Sequence, residues 1–144
     1  MDIKIKRIDT TLPMPEYKTP GSVAFDLYTR IDAEVPAHGF VMVPTNFVIA
    51  TPPGYMLMLA ARSSSAKKKG ITMRNGVGVI DQDYAGEDDE IHILLQNLTD
   101  EPVHVERGER LAQGMFVKIE TASWNEVTQM NETSRGGFGS TGDF

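Results

Sequence analysis

Phe40-Val-Met-Val-Pro44-Thr-Asn-Phe-Val-Ile49 predicts two short β-strands that Pro44 separates by a kink. Proline has no backbone N–H to donate to a sheet, so it belongs at an edge or at an irregularity. A turn at Thr51-Pro-Pro-Gly54 follows, and Tyr55-Met-Leu-Met-Leu-Ala60 forms a third apolar segment of strand length. Two strands, a tight turn and a third strand in immediate succession indicate an all-β protein.

The same pattern continues outward along the chain in both directions. Ile3, Ile5 and Ile8 alternate with charged residues near the start, and later strand patterns recur at roughly ten residues per element. These later patterns are Ile91–Gln96, Val103–Glu106 and Met115–Ile119. Such a series predicts a sandwich, a jelly roll or a closed barrel. Only Ser63–Lys69 predicts a helix, which is short, with a serine N-cap and a basic C-terminal end.

The composition narrows the function classes. The chain has 144 residues, a length typical of one domain, and its lack of cysteine excludes disulfides, thiolate nucleophiles and cysteine-based metal sites. A net charge of −6 disfavours non-specific nucleic-acid binding but not the binding of a nucleotide with Mg²⁺. The three histidines fit no zinc-hydrolase or zinc-deaminase pattern. No apolar run approaches the roughly 20 residues of a membrane-spanning helix, so we expect a cytoplasmic protein with no membrane or nucleic-acid partner.

An acidic run in the second half of the chain contains the strongest candidate for a catalytic group. A calcium-binding EF-hand loop is excluded there, because Ala85 and His92 stand where two ligands are required. Glu87–Glu90 are expected in a solvated turn. Asp81 differs, because it directly follows Val77-Gly-Val-Ile80, which we expect to be a buried strand. A carboxylate at the end of such a strand can act as a general base on water.

Two further segments have the composition of a phosphate site and of a mobile arm. Arg62, Ser63 and Ser64 follow a strand pattern and offer a planar guanidinium, two hydroxyls and free backbone N–H groups. The last residues of the chain combine several glycines with Phe138. Such a tail is either a disordered terminus or an arm that closes on a ligand, and the aromatic residue favours the arm. Neither a P-loop nor a nucleophile-elbow motif occurs in the sequence.

Five segments, taken in order, resemble the trimeric dUTP diphosphatases, or dUTPases. They are Ala24-Phe-Asp-Leu-Tyr28, Arg62-Ser-Ser64, Asn75-Gly-Val-Gly-Val-Ile-Asp-Gln-Asp-Tyr-Ala-Gly86, Gly108-Glu-Arg-Leu-Ala-Gln113 and Arg135-Gly-Gly-Phe-Gly-Ser-Thr-Gly142. The resemblance implies an all-β, distorted jelly-roll β-barrel over residues 1–122 and a flexible glycine-rich C-terminal arm over residues 123–144. It also implies a homotrimer whose three active sites are each built by three chains. The expected reaction is Mg²⁺-dependent hydrolysis of dUTP to dUMP and pyrophosphate, a step of nucleotide metabolism.

The resemblance further implies a role for individual residues. Asp81 would activate the water that attacks the α-phosphorus, and Tyr84 would pack against the deoxyribose and exclude a ribose 2′-hydroxyl. Asp26 would act through water on the Mg²⁺ that the triphosphate holds, and could also help to position Arg62. Uracil would be read by Asn75 and by the backbone of Gly78 and Val79. The expected phosphate contacts are Arg62, Ser63, Ser64 and Gln113. The arm would contribute Arg135, Gly137, Phe138, Gly139, Ser140 and Thr141, with Phe138 stacking on uracil.

Two departures from the family pattern and two rival functions accompany this resemblance. Arg135 precedes Phe138 by three residues rather than the five common in the family, and we expect Glu87–Glu90 to lengthen a hairpin at the surface. A dCTP deaminase, or a bifunctional deaminase–diphosphatase of the same fold, requires a glutamate within Ile91–Asn97, which contains none. A nucleotide-sensing scaffold is the other rival, and an intact Asp81 argues against an inactive one.

Overall fold

A computed structural model describes residues 1–137, and within them eleven short β-strands and one helix. The strands are β1 (Ile5–Arg7), β2 (Phe25–Tyr28), β3 (Ala33–Val35), β4 (Phe40–Pro44), β5 (Phe47–Ile49), β6 (Tyr55–Ala61), β7 (Ile71–Met73), β8 (Val77–Ile80), β9 (His92–Asn97), β10 (Val103–Val105) and β11 (Arg110–Lys118). The helix, α1, is Ser63–Lys69. The all-β class and the jelly-roll-like architecture predicted from the sequence are confirmed.

The strands form four antiparallel groups. The largest is a four-stranded sheet in the order β2-β11-β6-β8, and a three-stranded sheet has the order β4-β9-β7. Two pairs, β1-β5 and β3-β10, complete the barrel. Because neighbouring strands are mostly distant in sequence, each sheet brings together segments that are far apart in the chain. The four-stranded sheet matters most here, since β2, β6, β8 and β11 each adjoin or contain a candidate site residue.

The core consists of the side chains that alternate strands turn inward. In β6, Leu57 and Leu59 are buried while their neighbours are half-exposed, as expected for period-two patterning. Ile93 and Leu95 of β9 face the same core from the other sheet. Phe47 is fully buried and packs edge-to-face on Tyr28, with ring centroids 5.3 Å apart.

The break predicted at Pro44 is confirmed, and it is where the chain changes sheets. Strand β4 pairs with β9 up to Pro44, whereas β5 pairs with β1 from Phe47 onward. Asn46 makes the corner with φ +79°, a left-handed backbone conformation that asparagine tolerates better than most residues. Both oxygen and nitrogen of its side chain bond to the backbone of Asp9, at 2.6 and 2.9 Å.

Strands β2, β3 and β7 were not predicted. Each has only three or four residues, and β2 and β3 contain a charged residue among the apolar ones. The first strand is also shorter than the Ile3–Ile8 pattern suggests, because regular pairing covers only Ile5–Arg7. Such short strands are specified by their partners across the sheet more than by their own sequence.

Helix α1 is confirmed, but its predicted serine cap is wrong. The N-cap residue is Arg62, and no side chain caps the helix. The basic C-terminal end is present as Lys67–Lys69, and the helix ends at Gly70 with φ +66°. A side chain at Gly70 would meet Thr99 Cγ2 at 2.3 Å, so glycine is required both for the turn and for the packing. No helix among residues 1–137 has the length and apolar character needed to cross a membrane.

Candidate active site

Two arginines converge on one carboxylate at an end of the four-stranded sheet. Asp26, on β2, forms an ion pair with Arg62, whose Nε lies 2.8 Å from Oδ1, and its Oδ2 accepts a hydrogen bond from Arg110 Nη1 at 2.9 Å. Arg62 is also tied to the backbone, because its Nη1 donates to the Arg110 carbonyl at 3.1 Å. The Asp26 side chain is only 15% exposed, so both contacts are partly shielded from water. The cluster holds two positive charges against one negative charge, which leaves one positive charge for an anion.

Gln113 lies in the same row of the sheet. It faces Asp26 on β2 and Ala60 on β6, and its Nε2 donates to the Ala61 carbonyl at 3.1 Å. The structure thus brings together three residues that the sequence suggested separately, Asp26, Arg62 and Gln113. Arg110 was not among the predicted site residues. Its signal was present, since it belongs to the Gly108–Gln113 segment, but only Gln113 was selected there.

The serines after Arg62 are not equivalent. Ser63 is exposed and Ser64 is partly exposed, so both hydroxyls can reach a ligand. Ser65 is buried and its hydroxyl donates to the Leu111 carbonyl at 3.3 Å, which gives it a structural task. A cavity of about 310 Å³ adjoins Arg62, Ser64, Lys68 and Arg110. Lys69, which also lines it, is engaged by Glu109 at 2.7 Å.

A second group of candidates lies on the turn that joins β7 to β8 and on β8 itself. Gly76 takes φ +70° at the turn, and the Val77 N–H donates to the Asn75 carbonyl at 2.7 Å. The expectation that strand β8 is buried is wrong. Val77 and Val79 are 47% and 58% exposed, and only Gly78 is buried, against Leu59. The strand lies at the edge of its sheet, so one of its faces stays open within this chain.

Asp81 and Tyr84 follow β8 in a turn, and both are exposed. The Tyr84 N–H donates to the Asp81 carbonyl at 3.4 Å, and the Tyr84 hydroxyl donates to the Glu90 carbonyl at 3.1 Å. The Asp81 carboxylate therefore points into open space rather than into a dry pocket of its own subunit. The argument that placed Asp81 at the end of a buried strand fails for the single chain, although its candidacy by resemblance stands.

The acidic residues after Tyr84 do not form a uniform solvated turn. Glu87 fits that expectation and pairs with Lys6 at the surface, at 2.7 Å. Glu90 contradicts it, because it is buried and binds Arg30 through both carboxylate oxygens, each at 2.9 Å. The sequence could not distinguish Glu87 from Glu90. What turns Glu90 inward is the backbone hydrogen bond from the Ile91 N–H to the Phe47 carbonyl, which composition does not reveal.

The two groups of candidates are far apart within one chain. Asp26, Gln113, Ala60 and Val77 are consecutive register partners across the sheet. Val77 is therefore three strand spacings from Asp26, and Asp81 lies four residues further along the chain. At about 4.8 Å per strand and about 3.3 Å per residue, Asp81 and Asp26 are about 19 Å apart. One triphosphate cannot span from the arginine cluster to the Asp81 carboxylate of the same chain.

The C-terminal segment makes few contacts with the rest of the chain. Residues 120–137 form no helix or strand and are exposed, including Trp124, Arg135 and Gly137. The predicted arm residues Phe138, Gly139, Ser140 and Thr141 lie outside the described residues.

Comparison with known proteins decides the family. The family model described as dUTPase matches residues 10–142. The chain belongs to the dUTPase family. The enzyme class predicted from the sequence, a dUTP diphosphatase, is confirmed at the level of that family.

Individual dUTPases resemble the chain over nearly its full length. The deoxyuridine 5′-triphosphate nucleotidohydrolase of Dictyoglomus turgidum is 42% identical over 146 residues, covering 97% of each chain. The enzyme of the same name from Anaplasma marginale is 38% identical, covering 99% of each. The crystal structure of dUTPase from Streptococcus mutans matches with a TM-score of 0.76 at 32% identity, over 83% of this chain and 98% of that one. The Staphylococcus bacteriophage 80alpha dUTPase with dUPNHPP, at 22% identity and a TM-score of 0.84, shares the fold over 98% of both chains.

The described residues of this dUTPase hold no ready-made site for the metal that the resemblance implies. Among residues 1–137, no three His, Asp or Glu side chains are grouped so as to hold a metal ion. Each Asp26 oxygen already contacts one arginine nitrogen, but a carboxylate oxygen has a second lone pair that can accept a water. The residues therefore fit a metal that is carried by a triphosphate and contacted through water, and they do not fit a site built by this chain alone.

Proposed function

We propose that this dUTPase hydrolyses dUTP to dUMP and pyrophosphate in active sites that neighbouring chains of a homotrimer build together. The single observation that supports this proposal is the register Asp26–Gln113–Ala60–Val77, which at ordinary strand spacings puts Asp81 about 19 Å from Asp26. An arginine cluster suited to phosphates and a carboxylate suited to water activation are both present, yet one chain cannot apply both to one nucleotide. A second chain that places its arginine cluster beside the Asp81 turn of the first resolves the conflict.

In the proposed reaction, Asp81 acts as the general base. Its carboxylate accepts a proton from a water molecule while the water oxygen forms a bond to the α-phosphorus. The bond between the α-phosphorus and the oxygen that bridges to the β-phosphorus breaks, and pyrophosphate leaves with that electron pair. A neighbouring chain that covers the Asp81 turn would exclude bulk water, which strengthens the electrostatic contacts at the reacting atoms.

Base and sugar recognition are proposed to lie with the β7–β8 turn, strand β8 and the turn that follows it. Asn75 and the backbone of Gly78 and Val79 are proposed to read the uracil edge through hydrogen bonds. Such a site rejects cytosine because its donors and acceptors would be left unpaired. Tyr84 is proposed to lie against the deoxyribose, where a ribose 2′-hydroxyl would collide with its ring.

The phosphates are proposed to bind at the arginine cluster. Arg62 and Arg110 offer planar guanidinium groups, the partly exposed Ser64 lines the adjoining cavity, and Ser63 next to it is exposed. Gln113 lies in the same row, beside Asp26. The arm, residues 123–144, is proposed to complete the site after nucleotide binding. Its proposed contacts are Arg135, Gly137, Phe138, Gly139, Ser140 and Thr141.

Mg²⁺ is proposed as the cofactor. When bound to the triphosphate, the ion would offset negative charge that develops on the phosphates. Asp26 would accept a hydrogen bond from a metal-bound water while it keeps Arg62 and Arg110 in place. We also propose a cytoplasmic location, where dUTP would be available to the enzyme.

Mixing two inactive variants tests the composite site. Asp81→Asn removes the base, and Arg62→Ala removes a phosphate contact, so each homotrimer is expected to lose most turnover. If the trimers are dissociated, mixed and reassembled, about one site in four should combine an intact Asp81 from one chain with an intact Arg62 from another. Pyrophosphate release from dUTP should then recover toward a quarter of the wild-type rate.

Absence of recovery, with mixed trimers shown by mass spectrometry, would contradict the shared site. A mixture of Asp81→Asn chains that carry a tag with untagged Asp81→Asn chains controls for recovery caused by handling. Parallel assays with dCTP, dTTP and UTP define the substrate. Ammonia release from dCTP would instead favour the deaminase rival.

A further inference from the structure

Glu90 has a buried carboxylate with no part in the proposed chemistry. Its Oε1 accepts from Arg30 Nε at 2.9 Å and from the Asn46 backbone N–H at 2.8 Å, and its Oε2 accepts from Arg30 Nη2 at 2.9 Å. Burial raises the pKa of Glu90, but the hydrogen bonds from Arg30 and Asn46 outweigh it, so the pKa lies below its ordinary value. The group is therefore charged and fixed in one orientation at neutral pH.

The same residue holds the turn through its backbone. The Glu90 carbonyl accepts the Tyr84 hydroxyl at 3.1 Å and lies 2.7 Å from His92 Nδ1. A carbonyl only accepts hydrogen bonds, so His92 carries its hydrogen on Nδ1. One carbonyl thus receives two side-chain donors. It shares its peptide plane with the Ile91 N–H, which donates to the Phe47 carbonyl at 2.9 Å, and it belongs to a residue whose side chain is held by Arg30 and Asn46.

The Asp81–Tyr84 turn has few other attachments. Its four residues are exposed, and the Tyr84 N–H bond to the Asp81 carbonyl lies within the turn itself. Gln82 donates to the Tyr55 carbonyl at 3.1 Å. The Tyr84 hydroxyl bond joins the far end of the turn to the buried network of Glu90, Arg30 and Asn46.

We propose that Glu90 is a positioning residue: its clamped carboxylate fixes the carbonyl that binds the Tyr84 hydroxyl, and thereby sets the placement of Tyr84 and of the Asp81 turn. This inference rests on the proposed roles of Tyr84 at the sugar and Asp81 as the base. Glu90 touches neither substrate nor water in the reaction, and it acts through Tyr84 alone. Its expected effects are on sugar discrimination and on turnover together.

The test replaces Glu90 by glutamine, which keeps the shape of the side chain. Its NH₂ group would face Arg30 Nη2, and because both groups are donors, that hydrogen bond is lost. If the hydrogen bond from the Tyr84 hydroxyl to the Glu90 carbonyl is weakened as a result, kcat/KM for dUTP should fall about fivefold. The rate with UTP relative to dUTP should rise. Glu87→Gln is the matched control, because it removes the same charge from an exposed residue of the same loop and should leave both measures unchanged. Tyr84→Phe, which removes only the hydroxyl, should reproduce the effect of Glu90→Gln.

A double-mutant cycle decides whether Glu90 acts through Tyr84. The variant Glu90→Gln/Tyr84→Phe should lose no more kcat/KM than either single variant, whereas a multiplied loss would overturn the inference. A lower melting temperature with unchanged kinetics for Glu90→Gln would also overturn it, since that result indicates a purely structural residue. If Glu90→Gln does not fold, Arg30→Lys removes the two-pronged contact but keeps the charge, and the same cycle applies.

Tyr84→Ala separates failure of this inference from failure of the proposed function. If Tyr84→Ala leaves the preference for dUTP over UTP unchanged, the proposed sugar contact is wrong. If Tyr84→Ala changes that preference while Tyr84→Phe and Glu90→Gln do not, only the positioning role of Glu90 is overturned.

Discussion

Replacing Asp26 by asparagine removes one negative charge from the point where two arginines meet. The shape is retained, but only one side-chain oxygen remains to accept a hydrogen bond. The asparagine NH₂ group must face either Arg62 or Arg110. Both the NH₂ group and the guanidinium are hydrogen-bond donors, so they cannot bond to each other. One arginine therefore loses its partner inside a cluster in which Asp26 is only 15% exposed.

The size of the effect follows from these contacts. A hydrogen bond between charged groups contributes about 1.5–3 kcal/mol, so the loss of one should lower the free energy of unfolding by about 2 kcal/mol. Arg62 keeps its bond to the Arg110 carbonyl but is no longer fixed at Nε. A misplacement of about 1 Å in a substrate-positioning group can cost about 100-fold in rate, so we expect kcat/KM for dUTP to fall by about 10- to 100-fold.

Two assays check this prediction. Urea unfolding gives the free energy, and pyrophosphate release at increasing Mg²⁺ gives the kinetics. A higher Mg²⁺ concentration for half-maximal rate would report a lost water-mediated contact to the metal, whereas a loss that persists at saturating Mg²⁺ reports misplaced arginines. Glu109→Gln is the control, because Glu109 pairs with Lys69 beside the same cavity. Wild-type kinetics of Asp26→Asn at saturating Mg²⁺ would refute the positioning role.

Three further predictions concern other parts of the chain. Gly78→Ala should destabilise the protein by about 1–3 kcal/mol in urea unfolding, because the new Cβ would meet Leu59 Cβ at 3.0 Å, whereas Gly21→Ala, with open space around it, should be neutral. Acid should lower the free energy of unfolding partly through Glu90. The pKa of Glu90 in the folded protein is below its ordinary value of 4.5. Its contribution to the free energy of unfolding is therefore complete above pH 4.5 and is lost as the pH falls through the folded pKa. Unfolding measured between pH 7 and 3 should therefore depend less steeply on pH in Glu90→Gln, and an unchanged slope would contradict this. Deleting residues 134–144 should abolish most dUTP turnover with little change in melting temperature, and an unfolded product would show that the segment is structural instead.

The sequence predicted the strands that lie in clear apolar or alternating segments. It missed β2, β3 and β7, which are specified mainly by their pairing with other strands. Strand β6 was found because Tyr55–Ala60 is a continuous apolar segment of strand length, whereas β3 has only three residues, one of them charged, and pairs with β10. The same limit applied to Glu90. Nothing local distinguishes it from Glu87, because Arg30, its partner, is 60 residues earlier in the chain.

For the site, residue types were predictable and their environment was not. Arg62 and Gln113 were selected by chemistry and resemblance, and the structure brings them beside Asp26. Asp81 was selected partly because its strand was expected to be buried, which is wrong for the single chain. Apolar residues such as Val77 and Val79 predict burial without saying against what, and a surface covered only by another chain gives the same pattern as a core.

The arginine cluster and the Asp81 turn also differ in how firmly the rest of the chain holds them. We therefore expect changes in the two places to affect stability and activity differently. The arginine cluster is anchored to three neighbouring strands through Asp26, Ala61 and the Arg110 carbonyl. Changes there disturb the sheet, so they should lower both the free energy of unfolding and the rate. The Asp81 turn is exposed and attached through a few bonds, so changes to its side chains should lower the rate and leave the fold intact. If a second chain and a nucleotide meet this turn as proposed, its few attachments would let it adjust, and the proposed role of the Glu90 network is to keep that adjustment small.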